Sequence, residues 1–322
     1  TYLIPSYFLA KKIFNTRTAM ISSIFLIFIP FIVFQVPYTW PKTISSFWIL
    51  SAIYLLFYSD NKYKFYLSGL FLGISYLFHN YAIFYVIPIL AISFYKYRYD
   101  TIKTIILFIL TISPYYLWIY TSYHSLPSSN FIYYPFASDY ESALVRPETV
   151  FPTFFNQSIF DIMSARVANT LITILPITPL FNDRPTYEPV LYYTHTFPGG
   201  LGIMLYISAI YSLFKYKLDK VVMAIIAVPF ILYVLLFGWK IWGLLPVGLH
   251  PSIPFLVMIG VHQRSNKILS LLFLSVIIET VIFISLYQLF FTSISGFQDV
   301  QNLLEPYNIT INNFKSIYEF RP

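Results

Sequence analysis

The chain has 322 residues, of which 58% are hydrophobic, 21% aromatic and only 10% charged, and so little polar surface excludes a soluble globule in favour of a protein that crosses a membrane many times. Its net charge of +7 does not argue for nucleic acid as a partner. The basic residues fall in short turns between apolar runs, where their effect is on membrane orientation. There is no cysteine, hence no disulfide framework and no thiolate metal site.

In chain order, the first ten residues read as the tail of a hydrophobic helix rather than a signal peptide. Since Thr1 is not a start methionine, the chain is expected to be a fragment lacking its N-terminus. Charge-free runs follow at residues 18–41, 43–59, 65–95, 104–138, 189–214, 221–239 and 241–263, and a last run at 268–291 carries only Glu279. A membrane span needs about 20 apolar residues, so most runs are one helix each. Run 65–95 is either one long tilted helix or two short ones broken at His79-Asn80. Read as two helices, 13 basic residues from Lys11 to Lys267 lie in the turns on one side, against Lys42 and Lys240 in the short turns opposite. Read as one helix, the short turns divide 6 to 9. The excess of Lys and Arg expected on the cytoplasmic side favours two helices.

The expected architecture is therefore an all-α, polytopic bundle of about nine transmembrane helices after a partial first one. It divides into a core over residues 1–120, an extracytoplasmic loop over 121–198, C-terminal transmembrane helices over 199–291 and an outer tail over 292–322. The loop holds 9 of the 21 prolines and 6 of the 13 acidic residues, with Arg146, Arg166 and Arg184 but no lysine. Within it, Ser158 followed by Asp161 resembles a capping box. Ile159, Phe160, Ile162, Met163, Val167, Leu171, Ile174 and Leu175 then recur at helical spacing up to Pro176. This helix, 158–175, either lies in the outer membrane interface beside an active site or packs the loop onto the bundle. The sequons Asn156-Gln157-Ser158 and Asn308-Ile309-Thr310 face outward in this topology.

The segment Leu9-Ala10-Lys11-Lys12-Ile13-Phe14-Asn15-Thr16-Arg17-Thr18-Ala19 resembles the inner turn after the second helix of GT-C glycosyltransferases of the protein O-mannosyltransferase and aminoarabinose-transferase type. Trp40-Pro41-Lys42 and Ser68-Gly69-Leu70-Phe71-Leu72-Gly73-Ile74-Ser75-Tyr76-Leu77-Phe78-His79 look like the next two landmarks. The resemblance implies transfer of a sugar from a polyprenyl-phosphate donor to a hydroxyl of a protein, lipid or glycan acceptor, at the outer face of a lipid bilayer. A carboxylate would act as general base while cationic groups stabilise the departing lipid phosphate. The family's catalytic Asp is expected upstream of Thr1, so the fragment alone is expected to be inactive. Where many relatives carry an acid near the outer end of the fourth helix, this chain has Lys42, which argues against a metal or acid role there.

The resemblance places His79 where many relatives carry a lysine. Protonated, it would contact a lipid phosphate; neutral, it would donate one hydrogen bond or cap the helix break. Lys240 and His250 flank an apolar turn at the same outer boundary and are candidates for the same cavity, although Lys240 beside Trp239 and Trp242 also suits an interfacial anchor. Arg146, Arg166 and Arg184 are further phosphate candidates, set against solvation or pairing with nearby acids. Asp183, Glu188 and His195 match no metal-binding spacing, and a divalent cation remains open as a cofactor. Glu279, inside an apolar run, is expected to face a partner or a cavity, a feature equally suited to a proton-coupled transporter. A lipid or sugar transporter or flippase, an oligosaccharide polymerase or ligase, and an inactive scaffold are the competing readings.

Overall fold

The computed structural model describes residues 2–35, 41–123, 134–137, 150–175, 194, 196–236 and 249–292. Among them there is helix and turn but no strand. The helices are α1 (Leu3–Ile13), α2 (Thr16–Phe28), α3 (Pro30–Gln35), α4 (Pro41–Ile53) with a π-helical turn at Tyr54–Tyr58, α5 (Lys64–Phe78), a 3-10 turn at Asn80–Ala82, α6 (Ile83–Tyr97) and α7 (Asp100–Tyr123). They continue with α8 (Val150–Asn156), α9 (Ile159–Ile174), α10 (Phe197–Leu201), α11 (Ile203–Lys215), α12 (Lys220–Leu236), α13 (Ser252–Val261) and α14 (Asn266–Thr292).

The break in run 65–95 is a true chain reversal. Helix α5 ends at Phe78, His79 is extended at φ −157 and ψ 119, and α6 then brings Tyr97 back to within 5.2 Å of the Phe65 ring at the start of α5. Ser45 Oγ donates to the Ser75 carbonyl at 3.0 Å and Ser68 Oγ to the Ala52 carbonyl at 3.3 Å, so α4 and α5 run in opposite directions. Helix α7 runs alongside α5 in the same direction, with Gly69 against Thr104 and Leu107, and Gly73 against Thr111. A Cβ at Gly69 would sit 2.3 Å from the Thr104 carbonyl oxygen, and one at Gly73 would sit 2.5 Å from Thr111 Cβ. Small residues four apart are what lets two helix backbones approach this closely.

This alternation gathers the cations at one end of the bundle. Lys64 and Lys96 lie over the Tyr97 ring. Arg17 donates to the Arg264 carbonyl at 3.1 Å and to Asn266 Oδ1 at 2.7 Å. Arg264 in turn donates to Ser208 and Ser212. The far end carries Lys42 and His79. The core between is apolar and centres on α13, all ten residues of which are buried.

Helices occupy most of the described part of the apolar runs, but among the described residues only Asp100–Ser122 and Asn266–Leu286 have by themselves the length and composition to cross a membrane. The others are short or interrupted: α5, with 15 residues, is about 22 Å long against a hydrocarbon core of about 30 Å. Two interruptions are closed by side chains of α14. The chain breaks at Ile29 ahead of Pro30, and Thr280 Oγ1 donates to the Phe28 carbonyl at 2.8 Å. It breaks again at Gly202, with φ +89, and the Glu279 carboxylate accepts from the Ile203 N–H at 2.9 Å. Glu279 therefore faces the start of a neighbouring helix, and its partners are the Ile203 N–H and the Ser275 hydroxyl one turn earlier, which donates to it at 2.8 Å.

Candidate functional site

At the far end, three separate segments converge on one recess: the first turn of α4, the α5–α6 break and the start of α13. Lys42, Ser45, Ser46, His79, Tyr81, Tyr85 and His250 contribute to its wall. Lys42 precedes the charge-free run that begins at Thr43, so its ammonium stands at the boundary of the apolar region instead of within it. The cation lies 5.4 Å from the centroid of the Tyr81 ring, a distance at which the negative face of the ring attracts it. Burial pulls the Lys42 ammonium down to about 8. At neutral pH it is still charged by about ten to one.

His79 performs two tasks. Its Nδ1 accepts from the Tyr81 N–H at 3.2 Å, which caps the 3-10 turn after the break, and its ring stacks at a tilt on Tyr81 with centroids 4.5 Å apart. An accepting Nδ1 places the proton on Nε2. Burial, and then the charge on Lys42, push His79 down to about 4, so near pH 7 it is a neutral donor through Nε2–H. The cation at this site is Lys42, with His79 supplying a directional hydrogen bond.

The third segment brings His250, which is 1% exposed and meets the Phe31 ring edge-on at 4.5 Å. Close by, the Tyr85 hydroxyl and Ser252 Oγ share a hydrogen bond of 2.7 Å that ties α6 to α13. Tyr81 and Phe84 pack on Tyr233 of α12 at 5.6 and 4.7 Å. The recess thus has a rigid aromatic floor. Its enclosed space takes about one water-sized sphere, so in this conformation a phosphate fits at its rim and not inside it.

Helix α9 forms as the periodicity predicts. Ser158 Oγ accepts from the Asp161 N–H at 3.1 Å and its hydroxyl donates to the Asp161 carboxylate at 2.6 Å, so Asp161 receives from the serine hydroxyl where a full capping box would reach the backbone. The face that packs is made of Ala165, Asn169, Ile172 and Thr173. Ile159, Phe160, Met163, Val167 and Leu171 are exposed. Packing of the loop onto the bundle thus uses the small and polar side, and leaves a large apolar stripe facing outward.

Arg166 donates to the Ile162 carbonyl at 2.8 Å and to the Pro135 carbonyl at 2.7 Å. The first bond stays within α9 and the second ties residues 134–137 to it, and Arg166 is not among the residues around the recess. Lys240, Arg146, Arg184, Asp183, Glu188 and His195 lie outside the described residues. Among the described residues, no group of three or more His, Cys, Asp or Glu gathers as a metal site would require.

The recess brings His250 beside His79, as expected for a shared cavity at the outer boundary, and adds Lys42, which the sequence does not assign to it. His250 reads from sequence as a neighbour of Lys240, and Lys42 as the loss of an acid. The signal that would have found Lys42 is parity: if α4 and α5 are antiparallel, the start of one must lie beside the end of the other.

Residues 2–118 match the family model of the dolichyl-phosphate-mannose-protein mannosyltransferases. The match spans 117 of the 322 residues, holds both Lys42 and His79, and supports a GT-C glycosyltransferase. Neither the curated proteins nor the solved structures contain a match to this chain.

Proposed function

We propose that this chain is part of a membrane glycosyltransferase that moves a sugar from a polyprenyl-phosphate donor to an acceptor hydroxyl, and that the recess at the far end of the bundle meets the donor's phosphate. The observation that carries this reading is the convergence of Lys42 and His79, both inside the segment that matches the mannosyltransferase family, at a boundary otherwise poor in cations. With 13 basic residues at the opposite end, that boundary is the extracytoplasmic one.

The chemistry follows from the charges. As the glycosidic C–O bond breaks, its electron pair and the negative charge pass to the lipid phosphate. A cation held in a partly buried setting stabilises that charge more strongly than one in water. Lys42 supplies the positive charge and His79 Nε2–H an oriented donor, and the Tyr81 ring keeps both in place. The exposed apolar stripe of α9 suits a helix lying on the outer leaflet, where it would guide a long polyprenyl chain. Glu279 and Thr280 bond backbone at two helix breaks among the described residues, which gives the intramembrane carboxylate a structural role that needs no proton transport.

The test is transfer of label from a panel of radiolabelled polyprenyl-phosphate sugars in membranes that hold the protein as its gene encodes it. We expect transfer with at least one donor, and a loss of about tenfold or more for Lys42→Ala at low donor concentration. Equal rates for wild type and Lys42→Ala, or no transfer with any donor by folded protein, would overturn the assignment.

A further inference from the structure

A second cavity, of about 800 Å3, lies at the basic end between the last turn of α6 and the start of α12. We propose that it binds an anionic phospholipid, with the phosphodiester held by Lys96, Lys217 and Lys220 and an acyl chain against Ile92 and Val221. The inference uses the membrane-spanning part of the reading above and does not depend on sugar transfer.

Three observations point there. The first is charge. Lys96, Lys217 and Lys220 stand on the cavity rim against one carboxylate, Asp219. That carboxylate is already engaged, accepting from the Val221 N–H at 2.7 Å and facing the Tyr58 hydroxyl. Three other cations of this end are engaged: Lys103 pairs with Asp100 at 2.6 Å, Arg264 is held by serines, and Lys215 lies over Tyr211, while Lys96 rests on the Tyr97 ring. Among the described residues, Lys217 and Lys220 make no side-chain hydrogen bond or ion pair.

The second is depth. Lys96 immediately follows the charge-free run that ends at Tyr95, and Lys220 immediately precedes the one that begins at Val221. The lysines therefore sit at headgroup level while the inner wall lies at acyl-chain level. The third is access. Phe94, Tyr95, Met223 and Ile231 on the same two helices are exposed, so the cavity continues into the surface that the lipid tails cover. A soluble phosphate would use the rim but not the apolar wall. Basic pockets between helices on the cytoplasmic side suit anionic headgroups for the same reason.

The experiment is electron spin resonance of spin-labelled phosphatidylglycerol and phosphatidylcholine with the reconstituted protein, counting motionally restricted lipid. Wild type should restrict phosphatidylglycerol preferentially, and the triple change Lys96→Gln, Lys217→Gln, Lys220→Gln should reduce that preference about tenfold. Glycerol phosphate at millimolar concentration should leave it intact. No preference in wild type, an unchanged preference in the triple variant, or displacement by glycerol phosphate would each overturn the proposal. If the triple variant does not fold, Ala224→Phe fills the apolar wall and should lower the preference with every charge retained; an undiminished preference then counts against it. A single cysteine at Asn61, labelled from either side of sealed vesicles, reports the orientation separately, and unaltered lipid preference in a transfer-dead protein keeps this site distinct from the transferase reading.

Discussion

The carboxylate of Glu279, deep in the sequence of α14, accepts from the N–H of Ile203, the first residue of α11, at 2.9 Å. Helix starts leave backbone donors without internal partners, and here Gly202 turns the chain with φ +89, so a distant side chain performs the cap. Glu279→Leu should cost about 1–3 kcal/mol of stability because it strands that donor, whereas Glu279→Gln, which keeps an acceptor, should cost less. Thermal unfolding in detergent reads the difference; a leucine variant as stable as wild type would show that the contact is not needed.

Donor binding should depend on pH through Lys42. Phosphate binds the charged form, and burial holds the free ammonium at about 8. Affinity is therefore full below that value and falls as pH rises through it. His79, pushed down to about 4, stays neutral across this window and adds no slope. Lys42→Arg should flatten the profile, since a guanidinium remains charged. The readout is the donor KM between pH 6.5 and 9, and a flat wild-type profile would remove Lys42 from the phosphate contact.

Gly69→Ala and Gly73→Ala should each destabilise the bundle by about 1–3 kcal/mol through overpacking against α7. The Cβ added at Gly69 meets a backbone oxygen at 2.3 Å, which cannot swing aside, so that variant should be the worse of the two. Melting temperatures of both variants check the order. The Gly-Leu-x-x-Gly pattern is thus accounted for by packing of α5 on α7.

Arg166→Ala should release residues 134–137 from α9 and speed cleavage there by an added protease, with little change in donor KM. If Arg166 instead contacts the donor, KM rises while the cleavage rate stays unchanged. Kinetics and limited proteolysis on one preparation separate the two roles.

The reversal at His79 was legible in the sequence because charge parity is a global count. The parity that would put thirteen cations on one side requires a reversal at His79, and the chain reverses there. The capped helix 159–174 was legible from Ser158, Asp161 and the apolar period. Its orientation was not, since the same period allows the large side chains to face protein or lipid, and the structure buries Ala165 and Asn169 instead. The length of the helices was also hidden: Pro30 and Gly202 interrupt apolar runs that hydropathy reads as continuous. At the site, His79 and His250 stand out as rare residue types. Lys42 did not, because its meaning comes from the antiparallel packing of α4 on α5 and not from its neighbours in sequence.

The central claim, that donor phosphate meets the rim formed by Lys42 and His79, is tested most directly by photocrosslinking. A polyprenyl phosphate with a diazirine in its first isoprene unit would be irradiated with the membrane-embedded protein, and the adducts mapped by mass spectrometry. The account predicts adducts within residues 41–49, 79–85 and 249–251 that unlabelled polyprenyl-phosphate sugar suppresses and that Lys42→Ala weakens. Competed adducts confined to the basic end, around residues 91–96 and 217–224, would contradict it.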